Sequence, residues 1–297
     1  MLGLLLLLYP RAWRARYGQE LRHVIAQTTA AGRSPWRTGV DVARAAAAVR
    51  AQVLGIVGAG VTRQDRATGG CVLVLWAWAA FVVAGAAVQK TSEHWQGAVP
   101  TGDRALPTAA FAALVTAAGV GTVMVLGGIV VTLPRVVAML AGGGWPQIRG
   151  PVLRAASVTL VAAVWILGLA MWAHRLGSVA RNGGNPLYGG AVVGWALSVA
   201  VSLAGWTAVA SLTARRIGLG RRLLVAEALL AAAATGAMAV MSVAAIVWWR
   251  SVGDVAPGVF GGGSAATPMT AAVVLMAGAT CLGIAGTARA VRELGLV

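Results

Sequence analysis

The sequence has little charge for its length and few of the residues that catalytic and metal sites require. Asp, Glu, Lys and Arg make up 11% of its 297 residues, and it has three histidines and two cysteines. A typical soluble protein has roughly 25% charged residues. His23, His94 and His174 are far apart, and no lysine follows a phosphate-binding glycine pattern. We therefore predict no catalytic residue, no metal site and no cofactor, and we expect the protein not to be an enzyme.

Long apolar segments fill most of the chain. Six of them reach the length of roughly 17–25 residues that crosses a hydrocarbon core about 30 Å thick. The six segments are 71–89, 109–133, 155–173, 189–212, 223–249 and 270–288. Strands are excluded because nothing alternates at period two and lipid leaves open strand edges unpaired. The sequence predicts an all-α fold, a polytopic bundle of six transmembrane helices behind a small cytoplasmic N-terminal helical module.

Basic residues gather in alternate connections and predict the orientation. The segment before the first span, the second and fourth connections and the tail together hold 19 arginines, whereas the other connections hold five basic residues. The richer side is expected to be cytoplasmic, so both termini lie inside. We expect the module to span 1–66, the transmembrane domain 71–288 and a cytoplasmic tail 289–297. A net charge of +16 dispersed in this way does not predict nucleic acid as a partner.

The segment before the first span predicts short helices. Pro10 suits the start of a helix and Gly18 its end, with a second helix to about Thr28 and a third beginning at Ser34-Pro35. Aromatic residues recur every four positions in the first helix and make one stripe. The residues predicted to form a partner or lipid surface are Tyr9, Arg11, Trp13, Arg14, Arg16 and Tyr17.

This stretch carries a family resemblance. The run YPRAWRARYGQEL at 9–21, followed by DVARAAAAVRAQ at 41–52, resembles the N-terminal module of a family of uncharacterised actinobacterial integral membrane proteins. It is also similar to the helical prefix domains attached to some bacterial permeases. The resemblance covers about residues 4–56 and rests on the Tyr-Pro, Trp, Arg, Tyr-Gly and Glu positions. It implies a multi-pass protein of the bacterial cytoplasmic (inner) membrane, and it implies no activity.

Two interpretations of the module stay open. In one it is a cap with aromatic residues in its core and arginines at anionic headgroups, where each arginine contributes about 1 kcal/mol. In the other it docks a soluble partner, such as a transporter ATPase or a regulator, because Tyr, Trp and Arg also dominate interface hot spots.

Glu227 is the one charged residue within a predicted span. It follows Arg222 by about 7–8 Å along a helix. One interpretation is an interfacial ion pair with Arg221, Arg222 or a tail arginine. The other is an intramembrane polar site for a substrate or a proton.

Small residues recur at four-residue spacing in the fourth span, at Gly190, Gly194, Ser198 and Ser202. Such a seam lets two helix backbones approach closely in lipid. It predicts packing within the bundle or, alternatively, a homo-oligomer contact.

Two functional hypotheses follow. The first is a non-enzymatic membrane protein whose basic module contacts anionic lipid or recruits a partner. The alternative is the permease subunit of an ABC-type exporter, because six spans with both ends inside and an amphipathic helix in front resemble ABC-2-type permeases. Residues 134–150 are the best candidate for its coupling helix, but Gly142-Gly143-Gly144 interrupts them.

Overall fold

The computed structural model divides after Val61 into two compact units. It describes residues 6–32, 34–53, 62–91, 95–177, 185–256 and 266–296. Over these ranges the secondary structure is helical, with no strand. The predicted all-α class is therefore confirmed for the described residues.

The first unit contains a 3₁₀ turn and two helices, α1 (Arg11–Ala30) and α2 (Pro35–Val53). The expectation that Gly18 ends a short helix is wrong, because α1 continues through it and Gly18 is buried there. The left-handed glycine that ends α1 is Gly32, with φ 79°. This is the conformation that a helix C-terminus favours and that a glycine adopts without steric cost.

The core of the first unit joins the N-terminal turn to both helices. Its buried residues are Leu6, Tyr9, Ile25, Val42 and Ala46, with Trp13, Leu21 and Val49 packed against them. In the sequence, apolar residues recur at spacings of four and three along α2 and predict one apolar seam: Val42, Ala46, Val49, Val53 and Ile56. The first three of them face this core. Ile56 lies outside the described residues.

The second unit begins with a reciprocal cap. The Thr62 hydroxyl accepts from the Asp65 N–H, and the Asp65 carboxylate accepts from the Thr62 N–H, each at 3.1 Å. This pairing satisfies N–H groups at the start of a helix. The following helices are α3 (Arg63–Thr91), α4 (Trp95–Ala98), α5 (Ala105–Met139), α6 (Trp145–Arg175), α7 (Pro186–Arg216), α8 (Arg221–Val255) and α9 (Ala266–Leu294). The last residues of the predicted module, 63–66, therefore belong to α3. Most of the predicted tail, 289–297, belongs to α9.

Within the ranges that the structure describes, five helical stretches are long and apolar enough to cross a membrane. Two predicted spans, 109–133 and 155–173, fall in one of them, the 71-residue stretch Ala105–Arg175. The backbone breaks from helical geometry within it at Gly143, where φ is 81°. Pro134 directly follows the predicted span 109–133, where a proline is expected to end a helix, but it lies inside α5. A proline is tolerated in a membrane helix because neighbouring groups satisfy the carbonyl that it leaves free.

Helix α8 lies at the centre of the second unit and contacts α3, α5 and α9. Fully buried side chains such as Met238, Trp248 and Met276 fill the space between these helices. Helices α6 and α7 pack as a pair, and α7 also contacts α3, where Trp76 Nε1 donates to Ser211 Oγ at 3.2 Å.

Candidate functional site

The aromatic stripe of the N-terminal unit points into its core at the Tyr9 end. Tyr9 is 3% exposed, and its hydroxyl donates to the Val42 carbonyl at 3.4 Å. Its ring stacks on Trp13 with centroids 4.1 Å apart, and Trp13 contacts Tyr17 at 5.3 Å. Burial raises the pKa of Tyr9 above its ordinary value. Tyr17 is 37% exposed, so only the end of the stripe reaches the surface.

The predicted arginines differ in their environments. Arg16 is exposed, with its guanidinium 5.4 Å from the centre of the Tyr17 ring, a cation–π distance. Arg14 is half-buried, and its Nε has no hydrogen-bond partner among the described residues. The Arg11 side chain lies outside the described part of the chain. Arg50 has a structural role, since it donates to the carbonyls of Leu7 and Leu8.

One exposed face of α2 was missed by the sequence reasoning. Trp36 is 77% exposed, and Val40 and Arg44 follow it at four-residue steps, with Arg37 beside them. Positions four apart share one face of a helix, here the face opposite the buried seam. The same periodicity that predicts the seam would have identified it. We call Trp36, Arg37, Val40 and Arg44 the outer face of α2.

Glu227 turns toward α5 and away from the arginines. Its Oε1 is buried and has no hydrogen-bond partner among the described residues. A Cβ added at Gly128 would lie 2.9 Å from its Oε2, so the glycine makes room for the carboxylate. The ion pair expected with Arg221 or Arg222 is not formed, because both of those arginines are exposed at the start of α8 while Glu227 faces the helix packing. No described tail arginine pairs with it either.

A cavity of about 140 Å³ lies beside this carboxylate. Helices α3, α5, α7 and α8 form its walls, which are mainly apolar; its polar groups include Thr68, Cys71, Thr132 and Glu227. The two threonines donate their hydroxyls to carbonyls of their own helices, Thr68 to Gln64 at 2.9 Å and Thr132 to Gly128 at 2.9 Å. Sequence reasoning singled out Glu227 but could not place the other three residues around it. The sequence feature that points to a close approach of α5 to Glu227 is the Gly127-Gly128 pair.

Part of the small-residue seam of α7 lies at the contact with α6, and part of it has no neighbour within 4 Å of an added Cβ. Around Gly194, an added Cβ would lie 2.8 Å from the Trp165 ring of α6, and Ser202 shares a 2.6 Å hydrogen bond with Thr159 of α6. Ser198 bonds to the carbonyl of Trp195 in its own helix. A Cβ at Gly190 would meet nothing within 4 Å. The members near Gly194 and Ser202 therefore lie at the α6–α7 contact.

The described residues contain no group of three His, Cys, Asp or Glu side chains that could hold a metal ion. No protein-family model, no curated protein and no solved structure matches this chain. A functional hypothesis therefore rests on two features, the basic surface of the N-terminal unit and the Glu227 cavity.

Proposed function

We propose that this chain is a non-enzymatic integral membrane protein that crosses the bacterial cytoplasmic membrane six times, with a basic cytoplasmic module that contacts anionic lipid headgroups. The observation that supports this proposal is the arrangement of the module. Its core takes up Tyr9 and Trp13, while Trp36 and the arginines beside it remain exposed. Trp and Arg side chains are the combination favoured at a membrane–water interface.

The length of the stretch Ala105–Arg175 supports six crossings. A straight helix of 71 residues would extend about 105 Å, whereas the hydrocarbon core is about 30 Å thick. The break at Gly143 lies between the two apolar halves of Ala105–Arg175. Two crossings within this stretch bring the total to six. With six crossings both termini share one side, and the 19-to-5 distribution of basic residues favours the cytoplasm.

Charge complementarity favours lipid as the occupant of the module surface. Residues 1–61 contain eight arginines and two acidic residues. Five of the arginines are exposed, but Arg50 donates to the Leu7 and Leu8 carbonyls. The other four are Arg16, Arg22, Arg37 and Arg44. At about 1 kcal/mol for each basic side chain near an anionic surface, these four contribute about 4 kcal/mol.

The competing hypotheses receive less support. A docking hot spot built on the predicted aromatic stripe is less favoured, because Tyr9 is buried and Trp13 is partly buried in the core of the module. An exporter subunit would need a coupling helix in 134–150. There α5 runs to Met139 and α6 begins at Trp145, with only a five-residue π-helical segment between them.

The test uses the full-length protein in lipid nanodiscs. Cys71 and Cys281 are replaced by Ala, and a fluorophore is attached at Ala47→Cys, an exposed position beside the outer face of α2. Quenching by a headgroup spin label is measured in phosphatidylcholine with and without phosphatidylglycerol. We expect strong quenching only with phosphatidylglycerol, weakening as salt screens the charges.

The matched variants separate charge from shape. Replacing Arg16, Arg22, Arg37 and Arg44 together by Gln should lower the equilibrium constant for docking on the anionic membrane about a thousandfold. Each tenfold step corresponds to about 1.4 kcal/mol, and the four side chains together contribute about 4 kcal/mol. Replacement of the same four residues by Lys should preserve docking. Equal quenching in both lipids would refute the proposal. So would a soluble protein that co-purifies stoichiometrically from native membranes and is lost in the Gln variant, since the surface would then serve recruitment.

A further inference from the structure

The Glu227 cavity has features that packing alone does not explain. A carboxylate in the bundle has no hydrogen-bond donor and no counter-charge among the described residues, yet its Oε1 is buried. Burial of an unpaired charge is costly, so the group must take up a proton or a cation. Gly128 leaves space for the carboxylate where any larger residue would displace it.

The chemistry of the cavity wall selects the type of ligand. Thr68 and Thr132 have used their hydroxyl protons within their own helices, so they offer the cavity only acceptor lone pairs. The charged residue of the wall is an acceptor as well, Cys71 adds only a weak S–H donor, and most of the remaining lining is apolar. Such a site suits a ligand that donates hydrogen bonds, carries positive charge and has an apolar body.

An inorganic cation fits poorly. Calcium takes six to eight oxygen ligands, whereas this wall offers one carboxylate and two threonine hydroxyls among its side chains. The volume favours an organic ligand, since about 140 Å³ is close to the roughly 150 Å³ of an apolar cavity that holds benzene.

We propose that the cavity between α3, α5, α7 and α8 binds a small lipophilic organic cation, with its ammonium group at the Glu227 carboxylate and its apolar body against the helices. This site is separate from the proposed contact of the N-terminal module with lipid. A neutral molecule of the same shape would fill the cavity but leave the carboxylate without a counter-charge.

Isothermal titration of the full-length protein in nanodiscs tests this site, with benzylammonium as the probe and benzyl alcohol as its neutral counterpart. Benzylammonium should bind saturably and about tenfold to a hundredfold more tightly than the alcohol, because both can donate to the carboxylate but only the ammonium supplies a counter-charge. Glu227→Gln should abolish this preference while leaving benzyl alcohol binding unchanged. Asp254→Asn makes the same chemical change at an exposed carboxylate near the other end of α8 and should have no effect.

A second variant tests the location of the site independently of charge. Ala214 lines the cavity from α7, and Ala214→Leu should fill part of it and weaken both probes. The proposal is overturned if Glu227→Gln binds benzylammonium as well as the wild type. It is also overturned if both probes bind the wild type equally, which would indicate an apolar cavity suited to a lipid chain, or if neither probe binds saturably.

Discussion

The close backbone approach of α3 and α9 allows a quantitative prediction about stability. A Cβ added at Gly70 of α3 would lie 2.6 Å from the Gly286 carbonyl oxygen and 2.8 Å from the Ala290 nitrogen of α9. Close C···O contacts in proteins lie at about 3.3 Å or more, so the two helices would have to separate by about 0.7 Å. Both opposing atoms belong to the backbone and cannot turn aside. Gly70→Ala should therefore loosen the α3–α9 contact.

The magnitude follows from two opposing effects. Overpacking of this kind costs about 1–3 kcal/mol, and the upper part of the range applies because backbone must move. The alanine also gains about 0.5–1 kcal/mol from helix propensity. We therefore expect Gly70→Ala to lose about 2 kcal/mol of unfolding free energy. Gly85→Ala in the same helix, where a Cβ meets nothing within 4 Å, should gain about 0.5–1 kcal/mol.

Unfolding in mixed micelles of increasing sodium dodecyl sulfate, followed by tryptophan fluorescence, measures both variants. The chain has 12 tryptophans, so the signal is strong. A Gly70→Ala protein as stable as Gly85→Ala would show that α3 and α9 do not approach as closely as described.

Three further perturbations test individual contacts. Burial raises the pKa of Tyr9, so the folded unit keeps the phenol proton to a higher pH than the unfolded chain does. The stability of the unit should therefore fall as the pH rises past about 10, the ordinary tyrosine pKa. Tyr9→Phe should remove this fall when unfolding is followed by circular dichroism. Asn185→Ala should cost about 1 kcal/mol and speed hydrogen exchange in the first turn of α7, because the Asn185 side chain accepts from two N–H groups there, whereas Asn185→Asp should not. Thr159→Val removes the hydroxyl that accepts from Trp206 Nε1 at 2.9 Å, so it should weaken the α6–α7 contact by about 1 kcal/mol. An unchanged midpoint of thermal unfolding would contradict that hydrogen bond.

Much of the fold is readable from the sequence because its main determinants are local. Uninterrupted apolar length identifies the helices that are long enough to cross a membrane, and Asn185 before Pro186 marks the start of α7. Local rules also explain the errors. Gly18 and Pro134 both predict helix ends, but each lies inside a helix in the structure. Gly18 is buried, so packing of the first unit overrides its weak preference for a helix end. Pro134 is exposed, and α5 continues through it in the way that membrane helices tolerate a proline.

The surroundings of Glu227 could not be predicted from the sequence, because they depend on how the helices pack. Glu227 stands out in the sequence as the one charge within a span, but its partner depends on which helix faces it. The nearest arginines in sequence suggested an ion pair, whereas the structure places Gly128 of α5 against the carboxylate. That approach joins residues about a hundred positions apart and depends on tertiary packing. By contrast, the exposed face that carries Trp36 is predictable from the periodicity of α2, because the apolar residues of that helix fall on the opposite face.

Labelling of single cysteines tests whether the chain crosses the membrane six times with both termini in the cytoplasm. In a background with Cys71 and Cys281 replaced by Ala, cysteines are introduced at Gly102, Gly142 and Gly177, where an added side chain meets nothing within 4 Å. A membrane-impermeant maleimide is applied to intact cells and to inverted vesicles. Six crossings predict labelling of Gly102→Cys and Gly177→Cys in cells and of Gly142→Cys only in inverted vesicles. Labelling of Gly102→Cys and Gly177→Cys from opposite sides would mean that Ala105–Arg175 crosses once, and would contradict the account.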